Sequence, residues 1–535
     1  MDRPTGQAVP PSGGGRLQAA DPVHILKGRR LRVPAAGWRV AVAPRVREVI
    51  VQRTTGLGAY RALEGLAPAV SALAAKGHEV ARLLGPRRVW MLNSTWSGGG
   101  VAEMLPRLCD LINDMGVDTR WLVLEPDDPA FFKVTKGLHN LLHGEPGLDD
   151  VAAARGVYEV VSKAAAVRLR EHVDTGDVLV VHDPQPLGVA AALSPEHRPR
   201  LVWRCHVGLP YQNAETEVGW DFLRPYLAPF SRMLFSTESY IPEEHLAKSG
   251  VLHPGIDPLS HKSRELRPYK LVGVLRSAGL ADGPPPPRWA QFEQTAQRFA
   301  AGRWQPTPVP GLLHQPAIVQ VSRFDRLKGF QFLIPAFAHL LRVFPERVLH
   351  LRVDTERALS ELECAQLVLA GPDPSGIPDD PEGPRVLEEL CRQQAALPPE
   401  VGARVHLVRL PMANAKENAL AVNALQRMAA AVVQNSLKEG FGLTCAEALW
   451  KGTPVVAANV GGLSAQVRHG TDGLLVDDPT NPEAIADRLL RILAFPKEAE
   501  AMASSGRARV RQHFLVIAQL TRWMEEIEAL VRRDP

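Results

Sequence analysis

Short apolar runs alternate with stretches of helical periodicity along most of this chain, and that rhythm restricts its fold more than any other feature. VWMLNSTW (89–96), TRWLVLE (119–125), VLVVHD (178–183) and LVWRCH (201–206) have the length and apolar character of buried strands. Helical patterns such as SGGGVAEMLPRLCDLINDMG (97–116) and VYEVVSKAAAVRLREHV (157–173) separate most of them. Strand, helix and strand in succession specify a parallel sheet with helices on its faces. The rhythm lapses between about 260 and 316, where HKSRELRPYK, GLADGPPPPRWAQ and PTPVPG read as irregular because proline interrupts both kinds of element. It resumes with AIVQVS (317–322), a helix over 330–343, AQLVLAG (365–371), ARVHLVRL (403–410), AAVVQ (430–434), a helix over 442–451 and TPVVAAN (453–459). The class expected is α/β, with two doubly wound domains facing each other across a cleft.

The expected divisions are a mobile tail (1–35), an N-terminal domain (36–262), a proline-rich insertion (263–315), a C-terminal domain (316–510) and a terminal helix (511–535) that crosses back. Within the lead-in, WRVAVA (38–43) reads as a strand and AYRALEGLAPAVSALAAKG (59–77) as a helix stopped by Gly77. Residues 483–531 read as one long helical stretch.

With 62 Lys+Arg against 58 Asp+Glu in 535 residues, the net charge of +4 argues against nucleic acid as a partner. Five cysteines, Cys109, Cys205, Cys364, Cys391 and Cys445, lie far apart with no CxxC pair, and read as reduced, buried thiols of a cytoplasmic protein. The first twenty residues lack the apolar segment of a signal peptide, and no apolar run reaches the roughly 18 residues of a membrane span.

Open parallel sheets bind ligands beyond the carboxyl ends of their strands, so the candidates are sought there. Gly98-Gly99-Gly100 allows close backbone approach to a phosphate or a sugar, although it stops short of a GxGxxG because Glu103 replaces the last glycine. In QVSRFDRLKGF (320–330) two cations, Arg323 and Lys328, bracket a helix entrance and can neutralise a departing diphosphate. In NSLKEGFGLTCAEALWKG (435–452), Glu439 precedes a glycine turn and Glu447 lies inside the helix that follows. At about 1.5 Å per residue, Glu447 stands roughly 8 Å from the helix mouth, the span from a hexose across a diphosphate to a ribose. Amides from Gly440, Phe441, Gly442, Leu443 and Thr444 would cradle the diphosphate between the two acids. His182-Asp183 and His206 sit at strand ends of the first domain, facing the same cleft.

Taken together, MLNSTWSGGGVAEMLPRL, FFKVTKGLHN (131–140), VHDPQPLG (181–188), WRCHVGLP (203–210), IDPLSHK (256–262), QVSRFD and EGFGLTCAEALWKGTPVV resemble the retaining glycosyltransferases of family 4, and among them the trehalose glycosyltransferring synthases. The resemblance covers most of residues 89–260 and 315–515, and implies the GT-B fold with two Rossmann-like domains. It implies that Arg323 and Lys328 hold the diphosphate, Glu439 contacts the donor glucose, Glu447 binds the ribose and His206 lies beside the donor sugar. Gly99 and Gly100 would line the donor cleft, while His182, Asp183 and Gln185 would help to hold the acceptor glucose. The implied activity moves glucose from a nucleoside diphosphate glucose to glucose, forming α,α-trehalose with retention. No cofactor is required, and a divalent ion could assist although no metal site is readable. The implied partners are sugar and nucleotide-sugar substrates, without nucleic acid or membrane, and a homodimer is allowed for. Competing readings are a retaining trehalose phosphorylase, a transferase with another small sugar acceptor, and a retired nucleotide-sugar-binding scaffold. The long 260–316 region and the basic lead-in depart from the family pattern and leave specificity open.

Overall fold

The computed structural model describes residues 44–533 apart from 97–99, 127, 286–291, 352 and 375–381. The expected tail, the strand over 38–43, and Gly98 and Gly99 fall outside the described residues.

The first lobe is built on β1 (Arg45–Val49), β2 (Val89–Asn93), β3 (Thr119–Glu125), β4 (Val178–His182), β5 (Arg200–Cys205), β6 (Arg232–Phe235) and β7 (Ser249–Val251). Their order is β1-β3-β2-β4-β5-β6-β7, all parallel except β1, which runs antiparallel to β3. Every residue of β2 and β4 is buried, as strands covered on both faces must be. The second lobe carries β8 (Gln297–Ala300), β9 (Arg303–Gln305), β10 (Ala317–Val321), β11 (Gln366–Pro372), β12 (Val405–Leu410), β13 (Ala431–Gln434), β14 (Val455–Ala458) and β15 (Leu474–Val476). Its order is β15-β14-β13-β10-β11-β12-β8-β9.

Among the strands paired in parallel in each sheet the chain order reverses once, between β2 and β4 and between β10 and β13. Loops leave those neighbouring strands in opposite directions and open a crevice at their carboxyl ends. The loops carrying the charged candidates therefore emerge where the topology leaves room for a ligand.

Four expectations need correction. Gly77 does not stop a helix: it lies inside Ala67–Leu84, where a Cβ would sit 2.5 Å from the Met115 Cβ, so glycine is there for close packing. The 260–316 region contains regular structure. Pro268 opens the helix Pro268–Ser277, at a position that needs no amide donor. β8 and β9 form a hairpin on the edge of the second sheet, joined through Ala301 and Gly302 at φ 50° and 74°. That two-residue turn usually announces itself as Asn-Gly or Gly-Gly, and an alanine in the first place concealed it. The stretch over 483–531 is three helices, Pro482–Ala494, Pro496–His513 and Val516–Arg532. Pro496 forces Phe495 out of helical geometry (φ −120°, ψ 65°). Finally, Cys364 is exposed at a helix end and Cys391 half-buried, whereas Cys109, Cys205 and Cys445 are buried; all five are free thiols.

The chain passes between the lobes twice, and the two passages lie side by side. The Ile256 amide donates to the Phe514 carbonyl and the Val516 amide to the Ile256 carbonyl, both at 2.9 Å. A Cβ on Gly255 would meet the Leu515 backbone at 2.7 Å. The helix Val516–Arg532 then lies along the first lobe, where Arg232 donates to both carboxylate oxygens of Glu526 at 2.8 Å and Arg532 pairs with Glu79 at 2.8 Å. Among the described residues no helix is long and apolar enough to cross a membrane.

Candidate active site

Two buried amides tie the charged loops of the second lobe together. Gln320, near the end of β10, accepts from the Asn435 amide at 2.9 Å and donates to the Lys328 carbonyl at 2.8 Å. Asn435, just after β13, donates to the Gly329 carbonyl at 3.2 Å and to Pro479 at 2.9 Å. Gly329 has φ 66°, and a Cβ there would strike the Asn435 carbonyl at 2.0 Å. Only glycine lets the two loops approach this closely.

Held in this way, Lys328 Nζ donates to Glu439 Oε2 at 2.7 Å, and Ser436 Oγ donates to the same oxygen at 3.0 Å. Arg323 begins the same loop but points outward: its side chain is half exposed and its ion pair is with Asp325, at 3.8 Å. The structure thus joins Lys328 to Glu439 directly and leaves Arg323 half exposed on the same loop.

The helix Leu443–Trp450 starts at Gly442, which has φ 80°. No described group accepts from the amides of Phe441, Gly442, Leu443 or Thr444, so that mouth offers unpaired donors. Buried Gln466 donates to the carbonyls of Phe441, Gly442 and Gly462 and fixes the turn from behind. Gly461 and Gly462 press against it: Cβ atoms there would lie 2.1 Å from the Glu439 carbonyl and 2.3 Å from the Phe441 Cα. One turn into the helix, Glu447 is buried, with Lys262 Nζ 3.9 Å from its Oε1. Burial pushes its carboxyl upward, and the positive charges of Lys262 and then Lys451 oppose that.

The first lobe meets this loop directly. Tyr240 Oη shares its proton between the carbonyls of Glu439 and Gly440, 2.7 Å from each. A Cβ on Gly440 would lie 3.5 Å from the His206 carbonyl and 4.0 Å from His143 Cε1. Lys438 reaches across to the Glu145 carboxylate and the His143 carbonyl. His182 and His206 stack, and His182 Nδ1 and His206 Nε2 are 3.0 Å apart, so one donates to the other. Burial, followed by the charge of Arg204, holds His182 down to about 3, and the same causes together with His182 hold His206 well below its ordinary value. The pair is held neutral; His182 is buried with its Nε2 3.5 Å from the Met91 Sδ, which leaves His206 Nδ1 as the ring nitrogen of the pair without a protein partner among the described residues. Asp183 follows with φ 65°, a left-handed backbone conformation that aspartate tolerates better than most non-glycine residues, and its carboxylate accepts from the His206 amide at 2.7 Å. Burial pushes the Asp183 carboxyl up to about 6. Gln185 lies half-buried in the turn after β4. Gly100 is the first residue of the helix Gly100–Asp114, with open space where a Cβ would stand.

Sequence reasoning missed Gln320, Asn435, Gln466, Tyr240, Lys262 and His143. For Gln320 and Asn435 a signal existed, a polar residue at the end of an otherwise apolar strand. Gln466 and Tyr240 act through contacts that no local pattern reveals. Among the described residues no cluster of His, Cys, Asp and Glu is arranged to hold a metal ion.

The profile for "Trehalose synthase, N-terminal domain" matches residues 91–242, and that for "Glycosyl transferases group 1" matches residues 415–509. A trehalose synthase of Pyrococcus horikoshii is 31% identical over 456 residues, covering 85% of this chain and 93% of that protein. A trehalose phosphorylase of Grifola frondosa is 24% identical over 459 residues, covering 82% of this chain but 56% of that protein. The solved structure described as "Trehalose-6-phosphate from E. coli bound with UDP-2-fluoro glucose" superposes with a TM-score of 0.58 at 15% identity, covering 83% of this chain and 99% of that one. At that identity the likeness speaks to the fold.

Proposed function

Because this chain belongs to the trehalose synthase family of GT-B glycosyltransferases, we propose that it moves glucose from a nucleoside diphosphate glucose to free glucose, giving α,α-trehalose with retention of configuration. The observation that carries the reading is the contact of Lys328 with Glu439 at the mouth of the helix Leu443–Trp450, beside unpaired amides and with Glu447 buried one turn in.

In this reading the pyrophosphate lies at the helix mouth. As the bond from the glucose anomeric carbon to the phosphate oxygen breaks, negative charge grows on the diphosphate, and Arg323, Lys328 and the amides of Phe441 to Thr444 stabilise it. Gly440 and Gly442 keep the turn open enough for that approach. Glu439, oriented by Lys328 and Ser436, accepts from hydroxyls of the donor glucose, and Glu447 accepts from the ribose. The acceptor hydroxyl attacks from the face the phosphate leaves, its oxygen forming the new bond while its proton passes to the departing phosphate oxygen. His206 borders the donor sugar, and His182, Asp183 and Gln185 hold the acceptor, with Gly99 and Gly100 lining the cleft.

The test is to incubate the protein with UDP-, ADP- or GDP-glucose and glucose, and separately with trehalose and inorganic phosphate, and to identify products by NMR. The expected result is α,α-trehalose with an equal amount of nucleoside diphosphate from the first mixture. Glucose 1-phosphate from the second mixture, with no turnover of any nucleotide sugar, would instead establish a phosphorylase. Tight donor binding without release of nucleotide from any acceptor would establish a retired scaffold.

A further inference from the structure

Lys262, on the segment joining the lobes, holds its ammonium between carboxylates from both of them: 3.9 Å from Glu447 Oε1 and 4.0 Å from Glu103 Oε2. Glu103 stands in the first turn of the helix Gly100–Asp114, and Glu447 in the second turn of Leu443–Trp450. Both separations exceed a direct N–H···O bond, roughly 2.7–3.2 Å, so the ammonium is attracted to each acid without being saturated by either. The Lys262 side chain is 38% exposed and that of Glu447 only 9%, which puts the cation at the wet entrance and the acid behind it. A vicinal diol matches such a pair, since its two protons need an acceptor and its oxygens need a donor.

Resting on the reading of Glu447 as the ribose acid, we propose that Lys262 is a second ribose-binding residue, donating to a hydroxyl oxygen of the diol whose protons Glu447 accepts. The surroundings favour Lys262 over the other nearby cation. Lys451 is 6% exposed, donates to Gln426 within the core, and is pushed by burial down to about 7. Lys262 is instead raised, chiefly by the Glu447 charge, and stays an ammonium. It is also the largest of the influences that oppose the upward push of burial on the Glu447 carboxyl. Its other carboxylate neighbour, Glu103, lies on the first lobe, so a bound ribose would engage a group held from both sides of the cleft.

The experiment compares calorimetric dissociation constants of UDP, ADP and their 2′,3′-dideoxy counterparts for the wild type, Lys262→Met and Lys262→Arg, with melting temperatures measured alongside. Lys262→Met should weaken the ribonucleotides about tenfold and the dideoxynucleotides less than about twofold, with Lys262→Arg between. Should the Met variant fail to fold, Lys262→Gln enters the same comparison. Equal weakening for ribo- and dideoxynucleotides would overturn the proposal while leaving the donor reading intact. A wild type that binds none of the four nucleotides would overturn the donor reading itself, and this proposal with it.

Discussion

Lys328 and Glu439 stand 111 positions apart in the chain and 2.7 Å apart in space. Their charges and the glycines beside them are legible in sequence, since a charged group next to a glycine turn at a strand end points to ligand chemistry. Their contact is not, because it depends on Gln320 and Asn435, whose hydrogen bonds exist only once β10 and β13 pair. Glu447 and Lys328 should separate in kinetics. Glu447→Ala should raise the donor KM about tenfold with a small change in kcat, because a ribose contact persists through the reaction. Lys328→Ala should lower kcat by about a hundredfold or more, through lost stabilisation of the leaving group and release of Glu439. Steady-state kinetics with varied donor checks both, and small, equal effects would contradict these roles.

Whole elements were easier to read than their joints. The helix after Gly442 and most of the expected apolar strands follow from periodicity alone and lie within one or two residues of expectation, whereas the strand expected over 89–96 already ends at Asn93. What periodicity missed were places where tertiary contact overrode a local rule: Gly77 inside a helix, Ala301 at positive φ in a hairpin, and Pro268 opening a helix instead of preventing one. Gly77→Ala gives a test with an unusual sign. In an exposed helix the change would stabilise by about 1 kcal/mol. Here the added methyl meets Met115, so denaturant unfolding should show lower stability, by about 1–3 kcal/mol. Gln320→Leu should destabilise by a similar margin, about 1–3 kcal/mol, because it leaves the Asn435 amide and the Lys328 carbonyl buried without their partner. Its loss of kcat, measured at a temperature where the variant is fully folded, should exceed that of Gly77→Ala, which lies away from the charged loops.

At the scale of the molecule, stability should fall on mild acidification. Folded His139, His182 and His406 are held to about 3 and His143 to about 4, in each case first by burial. The unfolded chain takes up protons on these rings near the ordinary value of about 6.5, so between roughly 6.5 and 4 it binds more protons than the folded state. The melting temperature should therefore drop steadily across that window. Asp183 acts in the opposite sense, since its folded value of about 6 lies above the unfolded one, and it offsets only part of the loss. Scanning calorimetry from pH 7 to 4 checks this, and a flat profile would contradict the burial of the imidazoles.

Placing the two lobes around one ligand is the claim on which the others depend, and a crystal structure with UDP- or ADP-glucose tests it most directly. The pyrophosphate is expected against Lys328 and the amides of Phe441 to Thr444, with the ribose on Glu447 and the glucose between Glu439 and His206. A nucleotide sugar bound elsewhere, or one that leaves the Lys328–Glu439 contact facing empty solvent, would contradict the account.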